Sequence, residues 1–193
     1  MKPTYPGEER DKEYIEFIVD QVKAGSTQSF EILIHAFEKQ IYRYCYCILK
    51  SREEAEDAVQ DVFIKVYQDI QLYQRQVSFS AWLHKVAYHQ CLDRIRKQSR
   101  WQRLILHYKE QQPAQYVKDT NPDIDQMLNQ LNTEERNLLL LKVVEQYSFE
   151  EIGQIMDVKP ATLRKKYERL RKKLIQQKNT EGGMKHGQVV KPG

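Results

Sequence analysis

Apolar positions recur at helical spacing from Tyr14 to Leu174, and no segment shows the two-residue alternation of a strand. Phe30, Leu33, Ile34, Phe37, Ile41, Tyr44 and Ile48 form one long stripe, which predicts a helix with a single buried face. Ser51 reads as the cap of a second helix, with Glu54 three residues on. The inner face of that helix is Ala55, Ala58, Val59, Val62, Phe63, Val66 and Ile70. A polar stretch, QLYQRQVS, separates it from a third helix expected from about Ser80 to Arg100. This third helix should pack through Trp82, Leu83, Val86, Ala87, Cys91 and Ile95.

Around Pro113 and Pro122 the stripe is lost, and residues 104–124 are expected to form a flexible linker. A second lobe follows. Asn132 can cap a helix with Glu135 answering, and Leu138, Leu139, Leu141 and Val144 should face its core. Ser148 with Glu151 repeats that signature and opens a helix-turn-helix pattern over residues 148–174. Ile152, Ile155, Val158 and Leu163 would lock the two helices together. Gly153 sits where a side chain larger than methyl would push them apart. Asp157 stands where the turn demands a left-handed residue, and Pro160 suits the first turn of the next helix. Residues 178–193, with three closely placed glycines and no stripe, are expected to be a mobile tail. The expected fold is therefore all-α, with two small helical domains at 14–103 and 125–177 joined by the linker.

Charge is distributed unevenly over this frame. The chain carries +4, yet residues 156–178 alone carry +7, with nine cations against Asp157 and Glu168. A basic helix after a tight turn suits the major groove of DNA. On the second helix Asp57, Gln60, Asp61 and Ile64 fall at i, i+3, i+4 and i+7, an outward row within a segment of net −4. Such a row repels DNA and fits a basic helix of a protein partner. The segment from His84 to Arg103 swings to +5, and Lys85, His89 and Arg96 share one side with Tyr88 near and Trp101 at the end. Cations interleaved with aromatics suit single-stranded nucleic acid, where bases stack and phosphates need neutralising.

Several function classes receive no support. No apolar run approaches the roughly 20 residues of a membrane span, and the N-terminus has no secretory core, so a cytoplasmic location is expected. Three cysteines fit buried thiols in a reducing compartment better than disulfides or a zinc site. There is no GxxxxGK loop and no HExxH, and the five histidines are scattered, so no enzyme, metal or cofactor is expected.

Two blocks then resemble a known family. AEDAVQDVFIKVY (55–67) followed by FSAWLHKVAYHQCLDRIRKQSR (79–100) is similar to domain two of bacterial sigma factors of the extracytoplasmic-function group. Leu131 to Leu174 is similar to their domain four, and the likeness runs from Val22 to Leu174. It implies an alternative sigma factor that binds core RNA polymerase and directs promoter-specific initiation of a stress or envelope regulon. Asp57, Gln60, Asp61 and Ile64 match the positions that dock on the β′ clamp helices, with the β flap as a further contact. The loop from Leu72 to Ser80, with Lys85, Tyr88, His89, Arg94, Arg96, Lys97 and Arg100, matches the part that melts and reads the minus-ten element. His89 stands where the family usually carries Asn. Lys159, Thr162, Arg164, Lys165, Lys166 and Arg169 match the positions that read the minus-thirty-five element as duplex. The resemblance further implies an anti-sigma partner, often membrane-bound. With no dimerisation stripe and no apolar run, the free chain is expected to be a monomer that does not itself enter the membrane. The competing reading is a helix-turn-helix repressor or activator that is not a polymerase subunit. Its first lobe would have no use for an acidic row and a basic helix together.

Overall fold

A computed structural model describes the backbone of residues 6–105 and 127–184, and side chains over 12–100 and 127–176. Most of the expected linker, 104–124, and the end of the expected tail fall outside the described residues. The chain is helical, with no strand among the described residues. It divides into two compact units.

The first unit holds α1 (Pro6–Lys23), α2 (Thr27–Leu49), α3 (Arg52–Asp69), a 3-10 turn at Ile70–Leu72, and α4 (Phe79–Ile105). The stripe on α2 is its centre: Leu33, Phe37, Ile41, Tyr44, Cys45 and Ile48 are buried, while Phe30 and Ile34 lie at the margin. Against it pack Ala55, Ala58, Val62, Phe63 and Val66 of α3, and Leu83, Ala87 and Cys91 of α4. Ile18, Val19 and Val22 of α1 complete the core. Ser51 caps α3 by accepting from the Glu54 backbone N–H at 3.3 Å. The Glu54 carboxylate does not close the box but turns to Arg94 on α4. Cys45 and Cys91 are buried and Cys47 is half-buried, all as free thiols.

His84 is fully buried within α4, its ring edge-on to Tyr44 at 5.3 Å and its Nδ1 2.9 Å from the Ser80 carbonyl. Its place in a run of basic residues gave no sign of this.

The second unit takes in α5 (Thr133–Leu139), most of α6 (Phe149–Met156) and α7 (Pro160–Met184). Both expected capping boxes are present, Asn132 with Glu135 and Ser148 with Glu151. α5 runs into a π turn at Leu140–Val144. That turn corrects one expectation. Leu138, Leu139, Leu140 and Leu141 are buried, but Val144 is 56% exposed. The wider turn shifts the register by one residue and carries Val144 off the inner face. α7 continues to Met184, past residue 178, where the tail is expected to begin. Glycine weakens a helix by about 1 kcal/mol without forbidding it. Arg136 is buried and donates to the carbonyls of Leu128 at 3.1 Å and Leu131 at 2.9 Å. The Leu128 carbonyl also accepts from the Leu131 backbone N–H at 3.3 Å, so the guanidinium pins an already formed turn to α5.

Candidate nucleic-acid interface

The outer face of α3 carries the expected row. Asp57, Gln60, Asp61 and Ile64 are all exposed, because Ala55, Ala58, Val62 and Val66 turn the opposite face inward. Ile64 is 56% exposed and Tyr67, one turn along the helix, 45%. An apolar margin beside carboxylates suits an amphipathic protein helix more than a nucleic acid.

α4 supplies the basic groups, and the structure sorts them. Lys97, Arg96, Arg100 and His89 are exposed and Lys85 is half-buried. Arg96 pairs with Asp93 at 3.3 Å on its own helix. Arg94 departs from the expected nucleic-acid face. Its side chain is only 19% exposed and lies on the acidic row, 3.1 Å from Glu54, 2.5 Å from Asp61 and 4.0 Å from Asp57. Burial opposes its charge, but those carboxylates outweigh it and raise its pKa above the ordinary value. Tyr88 is likewise buried at the helix interface, its ring 5.2 Å from that of His89. A ring facing the core offers no platform for a base. Glu54, Asp61, Gln90, Asp93, Arg94, Lys97 and Gln98 line an open groove of about 400 Å³ between α3 and α4.

The helix-turn-helix is built by its turn. Asp157 ends α6 at φ 55°, and Val158 donates back to the Gly153 carbonyl at 3.1 Å. A β-carbon on Gly153 would stand 2.8 Å from the Val158 carbonyl oxygen and 3.2 Å from Pro160. The sequence allowed a methyl group there; the close approach of backbone leaves no room even for that. Leu163 and Leu170 are buried, which turns Thr162, Lys165, Arg169 and Lys172 outward together along α7. Lys159 precedes them, exposed, at the start of the helix.

The other expected cations of this helix face neighbours within the unit. Arg164 pairs with Glu150 and sits over the Phe149 ring, 5.7 Å from its centroid. Lys166 pairs with Glu134, and Lys173 with Glu135 at 2.9 Å. Phe149 also meets Lys142 at 4.9 Å and Tyr167 at 5.7 Å. These ties fix the pitch of α7 against α5 and α6. Lys172, which is absent from the expected set, shares the outward face with Lys165 and Arg169. Its spacing from Lys165 and Arg169 was the available signal.

Two family models match the chain: Sigma-70 region 2 over residues 33–100, and Sigma-70 region 4 over 122–174. The chain is 26% identical over 175 residues to the ECF RNA polymerase sigma factor SigW of Bacillus subtilis, covering 82% of this chain and 94% of SigW. It is 30% identical over 161 residues to SigE of Mycolicibacterium smegmatis, covering 76% of this chain and 60% of that protein. Among solved structures, the sigma factor RpoE of Bartonella quintana, in complex with the anti-sigma factor NepR, superposes with a TM-score of 0.66 at 20% identity. That match covers 77% of this chain and 95% of RpoE.

Proposed function

Because the chain belongs to the sigma-70 family, in its extracytoplasmic-function group, we propose a division of labour among its surfaces. As an alternative sigma factor, the protein directs promoter-specific transcription initiation by RNA polymerase. Bond-making is left to the core enzyme, and no cofactor or metal is called for.

Asp57, Gln60, Asp61 and Ile64 dock on the clamp helices of the β′ subunit, a basic helix being the partner that such a row favours. Lys85, His89, Arg96, Lys97 and Arg100 attend the minus-ten element, neutralising phosphates of the melted strand. Lys159, Thr162, Lys165 and Arg169 meet the minus-thirty-five duplex, with Arg164 and Lys166 at the flank. Phosphate contacts set the register there, and base-edge contacts set the sequence. The single observation that carries this reading is the division of charge within the first unit, an acidic row on α3 beside a basic helix α4. A free-standing repressor needs the second feature alone.

An anti-sigma protein holds the chain inactive until its signal arrives, and the relative RpoE, solved with NepR, supports this assignment. No described helix is long and apolar enough to cross a membrane.

The test is in vitro transcription with purified core polymerase on a genomic library, reading the new 5′ ends. Start sites that share two spaced elements and depend on the added chain are expected. Polymerase that stays silent would overturn the reading. So would a nanomolar footprint by the free protein, which would favour a repressor or activator.

A further inference from the structure

The loop between α3 and α4 is held by a carboxylate from α1, outside both matched regions. Glu16 Oε1 accepts from the Tyr73 hydroxyl at 2.7 Å and from the Phe79 backbone N–H at 3.3 Å, so one oxygen joins the two ends of the loop. Glu16 Oε2 lies 3.2 Å from Arg75 Nε. The Tyr73 hydroxyl also lies 2.9 Å from the Val77 carbonyl. Below this knot the rings of Tyr73 and Phe79, both nearly inaccessible, meet at 5.6 Å and contact Trp82.

The rest of α1 adds to the same clasp. Lys23 Nζ donates to the Tyr73 carbonyl at 2.6 Å, and Gln71 Nε2 donates to the Lys23 carbonyl at 2.8 Å. Arg75 folds back over α1, pairing with Asp20 and donating to the Glu16 carbonyl at 3.3 Å. Its guanidinium is therefore paired with α1 while the side chain stays 55% exposed. Gln74 and Gln76 are at the exposed tip, in a tight turn closed by Gln76 N–H to the Gln74 carbonyl at 2.7 Å. The Gln76 Nε2 amide donates to Gln74 Oε1 at 3.2 Å, so the two amides are presented as a pair whose remaining N–H groups and lone pairs face outward.

We propose that Glu16 is a positioning residue, which fixes the 73–79 loop so that the Gln74 and Gln76 amides stand ready to bind an unstacked promoter base. This rests on reading the loop as part of the minus-ten surface. An amide offers a donor and an acceptor in one plane, which suits the edge of a base out of its stack. Unstacking already costs free energy, and a loop that also had to order itself would raise that cost. A loop ordered during folding removes the second penalty. α1 thereby sets how sharply the protein discriminates among minus-ten sequences.

The experiment compares holoenzymes reconstituted from core polymerase and full chains, with Glu16→Ala, Glu16→Gln and Tyr73→Phe beside the wild type. Open-complex formation is measured on promoters differing by one minus-ten base, with amide exchange of residues 73–79 followed on the free chains. Glu16→Ala is expected to cut the discrimination ratio about tenfold and speed loop exchange, with affinity for core unchanged. Glu16→Gln retains an acceptor oxygen and should keep most of the ratio. Tyr73→Phe keeps the buried ring and should lose part of it. Unchanged loop exchange in Glu16→Ala would overturn the proposal, as would a uniform loss of rate with the ratio intact. A wild-type holoenzyme that initiates nowhere would instead overturn the functional reading, and this inference with it.

Discussion

The guanidinium of Arg94 on α4 bridges to Asp61 on α3 at 2.5 Å, so the helix expected to face nucleic acid donates a cation to the row proposed to face polymerase. The contact spans 33 positions of sequence and ties the two functional helices together. It also separates two roles that a single substitution at Asp61 would confound. Asp61→Arg reverses charge on the proposed docking face and removes a partner of Arg94. Arg94→Ala removes the ion pair and leaves the acidic row intact.

The expected outcome follows from the magnitudes. Ion pairs near the surface contribute about 0–1 kcal/mol to stability, so both variants should unfold within a few degrees of the wild type. Asp61→Arg should lower affinity for core polymerase by about tenfold or more, as a charge reversed against a complementary partner does. Arg94→Ala should stay within roughly threefold of the wild type. Fluorescence anisotropy with labelled core checks both. Equal losses in the two variants would mean that the bridge, not the exposed row, governs docking.

The outward face of α7 gives a second test. Lys165, Arg169 and Lys172 point away from the helices that α7 packs on, whereas Arg164 and Lys166 are engaged with Glu150 and Glu134. Replacing Lys165 or Lys172 with Ala should weaken promoter binding by the holoenzyme and lower the slope against log salt by about one, the mark of a lost phosphate contact. Thr162, at the N-terminal end where recognition helices meet base edges, should instead alter preference among minus-thirty-five sequences, by about 1–3 kcal/mol if a base contact is lost. Salt titrations of promoter binding distinguish the two behaviours. A slope that ignores Lys165 and Lys172 would remove this face from the duplex.

What could be read in advance was local. The stripes on α2 and α3 follow a 3.6-residue period, and the caps at Ser51, Asn132 and Ser148 pair residues three apart. The groups that escaped notice are polar ones whose partners lie far along the chain or in the backbone. Glu16 meets Tyr73 across 57 positions, and Arg136 reaches back to backbone carbonyls of the preceding turn that no side-chain pattern marks. His84 is buried because Tyr44 and the Ser80 carbonyl receive it. Val144 lies off the face that its spacing predicts because a π turn breaks the helical period there. In the same way, the charge of Arg94 was legible in the sequence but its direction was not.

The turn of the helix-turn-helix makes the sharpest packing prediction. Gly153→Ala puts a methyl 2.8 Å from the Val158 carbonyl, a backbone atom that cannot rotate away. Relief requires the two helices to separate, and overpacking of this kind costs about 1–3 kcal/mol. Asp157→Gly acts oppositely, because the left-handed conformation at φ 55° favours glycine, and a gain of up to about 1 kcal/mol is expected. Chemical denaturation of the full chain, followed by a probe in the second unit, measures both. A neutral Gly153→Ala would show that the turn can open without loss.

Acid should loosen the second unit through Glu135. Burial pushes its carboxyl up, but hydrogen bonds from the Lys173 ammonium and the Asn132 backbone N–H outweigh that and hold its pKa below the ordinary 4.5. A carboxyl whose pKa is lower in the folded than in the unfolded state binds protons less readily when folded. Its contribution is fully present above the unfolded value, and it fades as pH falls from there through the lowered folded value. Protonation takes the charge from both the second half of the Asn132 capping box and the tie from α5 to α7, and so weakens both. Glu135→Gln cannot ionise, so it should be less stable than the wild type at pH 7 and approach it near pH 3. Thermal melts across that range, with Lys173→Met as a parallel removal of the cation, read the convergence. A constant gap between wild type and Glu135→Gln at every pH would place the acid sensitivity elsewhere in the unit.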